Sequence, residues 1–187
     1  PTSVVDASWH SYLRLVAAGK GKTMSSPAVV QTVLDLIVSS PEDKEHDYYN
    51  HNVKPRLVYL GTASYDDDAR MEPQIEGYRE YCEIIPLRVS EAMTTGKPSL
   101  NEIASTFASA QIILASGGNT LYAVNRWKEL GMDELLHDAS CRGAVMCGGS
   151  AGAISWFDDG HSDSMNPTSQ LHVDPNLTED EKENWHY

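Results

Sequence analysis

"GAVMCGGSAGAISWF", residues 143–157, decides how the rest of the chain is read. An apolar run ends in two glycines, then come Ser150, three small residues and a bulky tail. A continuous apolar run stopped by glycine is the pattern of a strand buried on both faces in a parallel sheet. Gly148, Ser150 and Gly152 spell G-x-S-x-G at the expected strand-to-helix turn. This is the spacing of a nucleophile elbow, in which a serine is held in a strained turn above the sheet edge and bulky neighbours would clash with adjacent strands. The helix that follows would aim its unpaired amides at the same spot, where they can hold an oxyanion. The plainer reading of the same residues is a glycine-rich turn that lets a helix pack closely on a sheet.

Outward from that stretch, strands and helices alternate. "LRLVAAG" (13–19), "PRLVYLGTAS" (55–64), "CEIIPLRV" (82–89), "QIILASGG" (111–118) and "GAVMCGG" (143–149) read as strands, with Pro86 marking an edge or a strand end. Residues 26–40 have helical spacing behind Ser25 or Ser26, and 73–82 are amphipathic. A helix over 99–110 opens with Ser99 and Glu102, a capping box. "NTLYAVNRWKELG" (119–131) is a helix closed by glycine, and 132–140 form another helical piece. The alternation predicts a three-layer, flavodoxin-like, doubly wound α/β fold with a mostly parallel sheet, in a single domain over 1–187. Ligands of such sheets bind at the carboxyl ends of the strands. "GTAS" (61–64), "SGGNT" (116–120) and "CGGSAGA" (147–153) should therefore gather at one rim.

"SGGNT" leaves backbone amides pointing at that rim, which makes Gly117, Gly118, Asn119 and Thr120 candidate binding residues. An ordinary N-cap by Asn119 or Thr120 accounts for the same residues. "AGKGKT" (18–23) resembles the tail of a phosphate-binding loop through Gly21, Lys22 and Thr23, but that motif needs glycine at position 16, which is Val16. His161 and Asp163 lie close behind the elbow, and His161 reaches Ser150 only if the intervening helix is short. His46, His51, His137, His172 and His186 read as surface residues, and no two histidines have metal-ligand spacing on a helix.

Bulk composition narrows the function classes. The chain has 187 residues, 41% hydrophobic and 22% charged, and a formal net charge of −13 from 14 basic and 27 acidic side chains. Such a surface repels nucleic acid and anionic lipid, while leaving room for one local basic pocket. Cys82, Cys141 and Cys147 fit neither a zinc site nor a disulfide framework, and Cys82 and Cys147 read as buried thiols. No signal peptide and no run of about 18 apolar residues is found, so a cytoplasmic setting is expected. No metal and no organic cofactor is implied.

"ILASGGNTLYAVNRWKELGMDELL" followed by "GAVMCGGSAGAISWFDDGHSDS" resembles the peptidase E family of serine peptidases, which includes aspartyl dipeptidases and cyanophycinases. The likeness runs from about Leu57 to Ser164, and the pairing of G-G-N-T with G-x-S-A-G-A, Ser150 following Gly118 by 32 positions, is far more specific than either motif alone. The resemblance implies a flavodoxin-like sandwich and an acyl-enzyme mechanism. In it Ser150 is the nucleophile, the Gly118 and Ala151 amides form the oxyanion hole, and Asp163, or after it Asp158, completes a triad. It also implies a short acidic peptide as substrate. Such a carboxylate needs a cation, and Arg70, after the "GTASYDDD" rim loop, is favoured over Arg126, which sits past the first turn of its helix and points away from the rim; a solvated surface arginine is the plainer reading of Arg70. A homodimer is an open possibility. The family's histidine belongs to a Pro-His segment, and no such pair occurs here. The resemblance thus places the base beyond Tyr187, in a chain expected to be C-terminally incomplete, with His161 as the alternative. Two other readings stay open: a non-catalytic binding member of the same fold, and a glutamine amidotransferase-like domain, which would need cysteine where Ser150 stands.

Overall fold

The computed structural model describes residues 13–37, 54–91 and 96–164. Five strands form one sheet: β1 (Arg14–Ala18), β2 (Arg56–Leu60), β3 (Glu83–Leu87), β4 (Ile112–Ala115) and β5 (Val145–Gly149). Their order is β1-β5-β4-β2-β3, and every ladder is parallel. The run β3-β2-β4-β5 repeats the flavodoxin order 2-1-3-4, with β1 added outside β5. β4 is fully buried along its length, as a central parallel strand must be. Pro86 lies in β3, the edge strand, where its missing N–H costs no ladder bond on the open side.

Among the described residues six α-helices cover the sheet: α1 (Pro27–Ile37), α2 (Asp68–Ile75), α3 (Leu100–Ala108), α4 (Thr120–Glu129), α5 (Met132–Cys141) and α6 (Ala151–Ile154). Alternate side chains of each strand feed two cores. On one face Val58, Leu60, Ile113 and Met146 meet Ile103 and Phe107 of α3, Trp127 of α4 and Leu136 of α5. On the other, Leu57, Tyr59, Ile112, Leu114 and Cys147 meet Val30, Val33 and Ile37 of α1 and Ile75 of α2. The result is the predicted three-layer α/β arrangement. The capping box of α3 is formed, Ser99 Oγ accepting from the Glu102 N–H and the Glu102 carboxylate from the Ser99 N–H.

One helix differs from the sequence reading. The amphipathic stretch at 73–82 is split: α2 starts at Asp68, capped by the Asp67 carboxylate accepting from Ala69 N–H at 2.9 Å, and ends at Ile75 with a 3-10 turn behind it. Pro73 thus lies inside the helix rather than opening it, and the helix stops two residues later. Most of the polar linker at 42–54 falls outside the described residues. Among the described residues, no helix is long and apolar enough to cross a membrane.

Candidate active site

β5 delivers Ser150 to the carboxyl edge of the sheet. Its backbone lies at φ 56°, ψ −121°, a conformation that non-glycine residues hold only where the surroundings impose it. Those surroundings are main-chain crossings. A Cβ on Gly148 would lie 2.2 Å from the Gly152 carbonyl oxygen, and one on Gly152 would lie 2.1 Å from that of Ala115. The Ser150 N–H donates to Ala18 O at 2.9 Å, which ties the turn to β1. The side chain itself is exposed at the rim, and among the described residues no hydrogen bond to its hydroxyl is found.

The other two rim segments close around this turn. A Cβ on Gly117 would sit 3.3 Å from Ser150 Cβ, so the G-G turn after β4 lies against the serine. Gly118 has φ +140°, and a side chain there would strike Ala63 O at 2.0 Å. This approach requires glycine on both counts. The loop after β2 is the mould for that turn. Ala63 O accepts from Asn119 N–H at 2.7 Å, Thr62 Oγ1 accepts from Trp127 Nε1 at 2.9 Å, and Tyr65 OH accepts from Asn119 Nδ2 at 3.3 Å. Asp66 Oδ2 clamps the next loop, accepting from the N–H groups of Val89 (2.9 Å) and Ser90 (2.7 Å). Tyr65 and Asp66 are both left-handed, at φ 56° and 58°.

Among the described residues no acceptor takes the N–H of Gly118 or of Ala151, whereas the Gly117 N–H is taken by Gln74 Oε1 at 3.2 Å. α6 is a single turn, so any help it gives an oxyanion comes from local amides rather than a long macrodipole. Asn119 caps α4, its side-chain oxygen accepting from Tyr122 N–H at 3.0 Å, so its side chain serves the helix. Thr120 is buried, its hydroxyl accepting from Ser162 Oγ at 3.1 Å.

An open cleft of about 430 Å³ runs beside Ser150, lined by Lys20, Gly21, Lys22, Arg70, Gln74, Gly117 and Gly118 among others. Three cations on its walls make a local basic patch in an acidic chain. Arg70 is partly engaged, 3.6 Å from Asp67, while among the described residues Lys20 and Lys22 have no ion-pair partner. The segment dismissed as a broken phosphate loop therefore contributes two of the three charges. Lys20, Lys22 and Gln74 were missed in the sequence. The position of "AGKGKT" at the carboxyl end of β1 was the available signal for the lysines.

The His161–Ser164 segment folds back over the start of α4, not onto Ser150. Ser162 and Ser164 share a 2.7 Å hydrogen bond, and Ser164 Oγ accepts from Leu121 N–H at 3.2 Å. His161, Asp163 and Asp158 are exposed, and among the described residues no hydrogen bond joins His161 to Ser150. His137 lies on the exposed face of α5, and the remaining histidines are outside the described residues. Arg126 is turned from the cleft, donating to Val89 O and pairing with Glu129. Cys147 is fully buried inside β5, and burial pushes its thiol far up, away from nucleophilic thiolate. That argues against a cysteine-dependent amidotransferase.

Comparison with known proteins gives a consistent result. The profile of peptidase family S51 matches residues 42–176, well over half of the chain. Over 118 residues the chain is 33% identical to the uncharacterized peptidase YgaJ of Bacillus subtilis strain 168, a span covering 63% of this chain and 49% of that protein. The chain thus spans about half the length of this curated relative. Among solved structures, a candidate peptidase E protein of Listeria monocytogenes EGD-e aligns with a TM-score of 0.56 at 19% identity, over 88% of this chain and 70% of that one. A peptidase from an acI-B1 Actinobacterium aligns with a TM-score of 0.53 at 21% identity, over 75% and 55%. At these identities the two structures attest the fold.

Proposed function

The chain belongs to peptidase family S51, and from that membership we propose that Ser150 is an acylating nucleophile acting on short peptides with an acidic residue at the amino end. The observation that carries this reading is the forced elbow: a serine at φ 56° with an exposed hydroxyl, beside two amides, Gly118 and Ala151, that no acceptor takes among the described residues. In the reaction Ser150 Oγ attacks the scissile carbonyl carbon while its proton passes to a base. The C=O electron pair moves onto oxygen, where the Gly118 and Ala151 N–H groups receive it. Collapse expels the amine, which takes up the proton, and water then hydrolyses the ester.

The substrate class is argued from charge. Lys20, Lys22 and Arg70 line the cleft that opens beside Ser150, and a side-chain carboxylate is the complement they ask for. His161 and His137 are the described histidines, and neither is bonded to Ser150. The acid behind the histidine is Asp163, and after it Asp158.

A fluorophosphonate tests the nucleophile. Ser150 Oγ–P forms, P–F breaks, and fluoride leaves with the serine proton. Labelling of the 187-residue chain that disappears in Ser150→Ala is the expected result. Labelling that survives in Ser150→Ala refutes it. A chain that binds Asp-Leu yet is not labelled even when produced from its whole gene points to a binding member of the fold, and labelling only in that form places the base beyond Tyr187. Running His161→Ala beside these decides whether that histidine is the base, since loss of a base costs on the order of 10⁴-fold in rate.

A further inference from the structure

We infer that Gln74, which no motif contains, is a positioning residue that sets the orientation of the oxyanion donor at Gly118; this rests on the acyl-transfer reading above. Gln74 belongs to α2 and forms part of the cleft floor, only 6% exposed. Its side-chain amide makes three hydrogen bonds. Oε1 accepts from Gly117 N–H at 3.2 Å, and Nε2 donates to Tyr59 OH at 3.0 Å and to Arg70 O at 2.8 Å. The orientation of the amide follows from chemistry. A backbone N–H only donates and a backbone C=O only accepts, so the flipped amide would face a donor with a donor at Gly117 and an acceptor with an acceptor at Arg70.

Two adjacent glycines are the backbone least able to hold an orientation by themselves. The Gly118 N–H is held instead by anchors on both sides. Upstream, Gln74 fixes the Gly117 amide; downstream, Ala63 O fixes the Asn119 amide at 2.7 Å. With Gly117 engaged, Gly118 is left as the free donor of the pair, and its direction is the one the two anchors permit. Oxyanion donors act by being aimed before the charge forms, so the anchor matters to the transition state more than to substrate binding.

The anchor is itself held from below. Burial raises the pKa of Tyr59 well above that of an ordinary phenol, so its hydroxyl stays protonated, with the Ser64 and Ser116 hydroxyls beside it. Ser116 immediately precedes the glycine pair. On the cleft side, a Cβ on Gly21 would lie 2.5 Å from Gln74 Oε1, so the lysine-bearing loop packs directly on this amide. Gln74 therefore joins α2, the end of β2, the G-G turn and the cationic loop at one point.

The test uses the 187-residue chain with Gln74→Met, similar in length but without the amide, and Gln74→Glu, which keeps an acceptor for Gly117. Amide hydrogen exchange is followed at Gly117 and Gly118, with Leu114 in β4 as the folded reference. Phosphonylation of Ser150 is measured in parallel as a maximal rate and a binding constant. In Gln74→Met, Gly117 exchange should quicken about 10-fold or more while Leu114 is unchanged. The maximal phosphonylation rate should fall about 10-fold, with the binding constant within about 2-fold, the split expected when transition-state contacts alone are lost. Gln74→Glu, read at a pH where its carboxyl is protonated and donates to Arg70 O, should keep Gly117 protected and most of the rate. Unchanged Gly117 exchange in Gln74→Met overturns the inference. So does faster exchange with both phosphonylation constants unchanged, which would make the contact merely structural. If Gln74→Met loses Leu114 protection and so fails to fold, Gln74→Glu decides: unprotected Gly117 there overturns it. If neither the parent chain nor the form produced from its whole gene is phosphonylated, the nucleophile reading falls, and Gly117 and Gly118 exchange still judges the anchor.

Discussion

Gly152→Ala is the sharpest perturbation of the elbow. In an ordinary helix this change stabilises by up to about 1 kcal/mol, because alanine is the better helix former. Here the added Cβ would stand 2.1 Å from the Ala115 oxygen, 2.6 Å from its carbon and 2.7 Å from the Ser116 oxygen. All three atoms are backbone at the end of the central strand β4, so no side-chain rotation relieves the clash. Either α6 lifts off the sheet or β4 shifts, and overpacking of this kind costs about 1–3 kcal/mol. A net loss of about 2 kcal/mol lowers the melting temperature of a chain this size by about 4–8 °C. Gly19→Ala is the control, since nothing lies within 4 Å of the Cβ it would add. Thermal unfolding by circular dichroism and calorimetry measures both. If Gly152→Ala melts within about 1 °C of Gly19→Ala, close backbone approach is not why glycine stands there, and the account of how the Ser150 turn is imposed fails with it.

Three further outcomes follow from separate parts of the molecule. Lys20→Ala, Lys22→Ala and Arg70→Ala should each raise KM for Asp-Leu several-fold, exposed charges being worth about 1 kcal/mol or less, and leave Asn-Leu unchanged; equal effects on both peptides would remove the case for a carboxylate-reading cleft. Asp66→Ala should destabilise the fold by about 2–4 kcal/mol, since it strands the Val89 and Ser90 N–H groups in a buried loop, and a loss under about 0.5 kcal/mol in urea unfolding would show that the clamp is dispensable. Burial pushes the Cys82 thiol from 9.0 up to about 12. The unfolded thiol therefore ionises first as pH rises, and stability should be full below about pH 9 and fall toward pH 12 by about 1.4 kcal/mol per unit. Cys147, also raised by burial, adds to the same fall, so Cys82→Ala should lessen the slope by about 1.4 kcal/mol per unit without abolishing it, and an unaltered slope counts against the assignment.

The parts of the fold legible in the sequence are those decided within a few residues. β2, β4 and β5 announce themselves as apolar runs because both faces of a central parallel strand are buried, and Pro86 points to an edge because an edge strand alone can spare its N–H. The α3 capping box is equally local, two side chains three positions apart. α2 shows the limit of this: Pro73 reads as a beginning, yet Asp67, five residues after Thr62, supplies the actual cap in a stretch where three aspartates in a row offer no single choice.

The site divides in the same way. Ser150, Gly117 and Gly118 are legible because strain and close approach leave glycine as a local trace. What completes the site comes from sequence-distant contacts with no such trace. Lys20 and Lys22 fail a motif test that depends on Val16, but the lysines belong to the rim for a topological reason: β1 lies beside β5, with Ala18 opposite Gly149, so whatever follows β1 must pass the elbow. Gln74 is harder still. Its partner at the rim is a main-chain amide 43 residues away, and a backbone acceptor site places no demand on the identity of Gly117 that a sequence could display. His161 and Asp163 are the converse case, near in sequence and drawn elsewhere, because the hydroxyls of Ser162 and Ser164 find Thr120 and the Leu121 N–H at the open start of α4. Proximity along the chain made them candidates for a triad; the unpaired amides of a helix end gave that segment a stronger place to go.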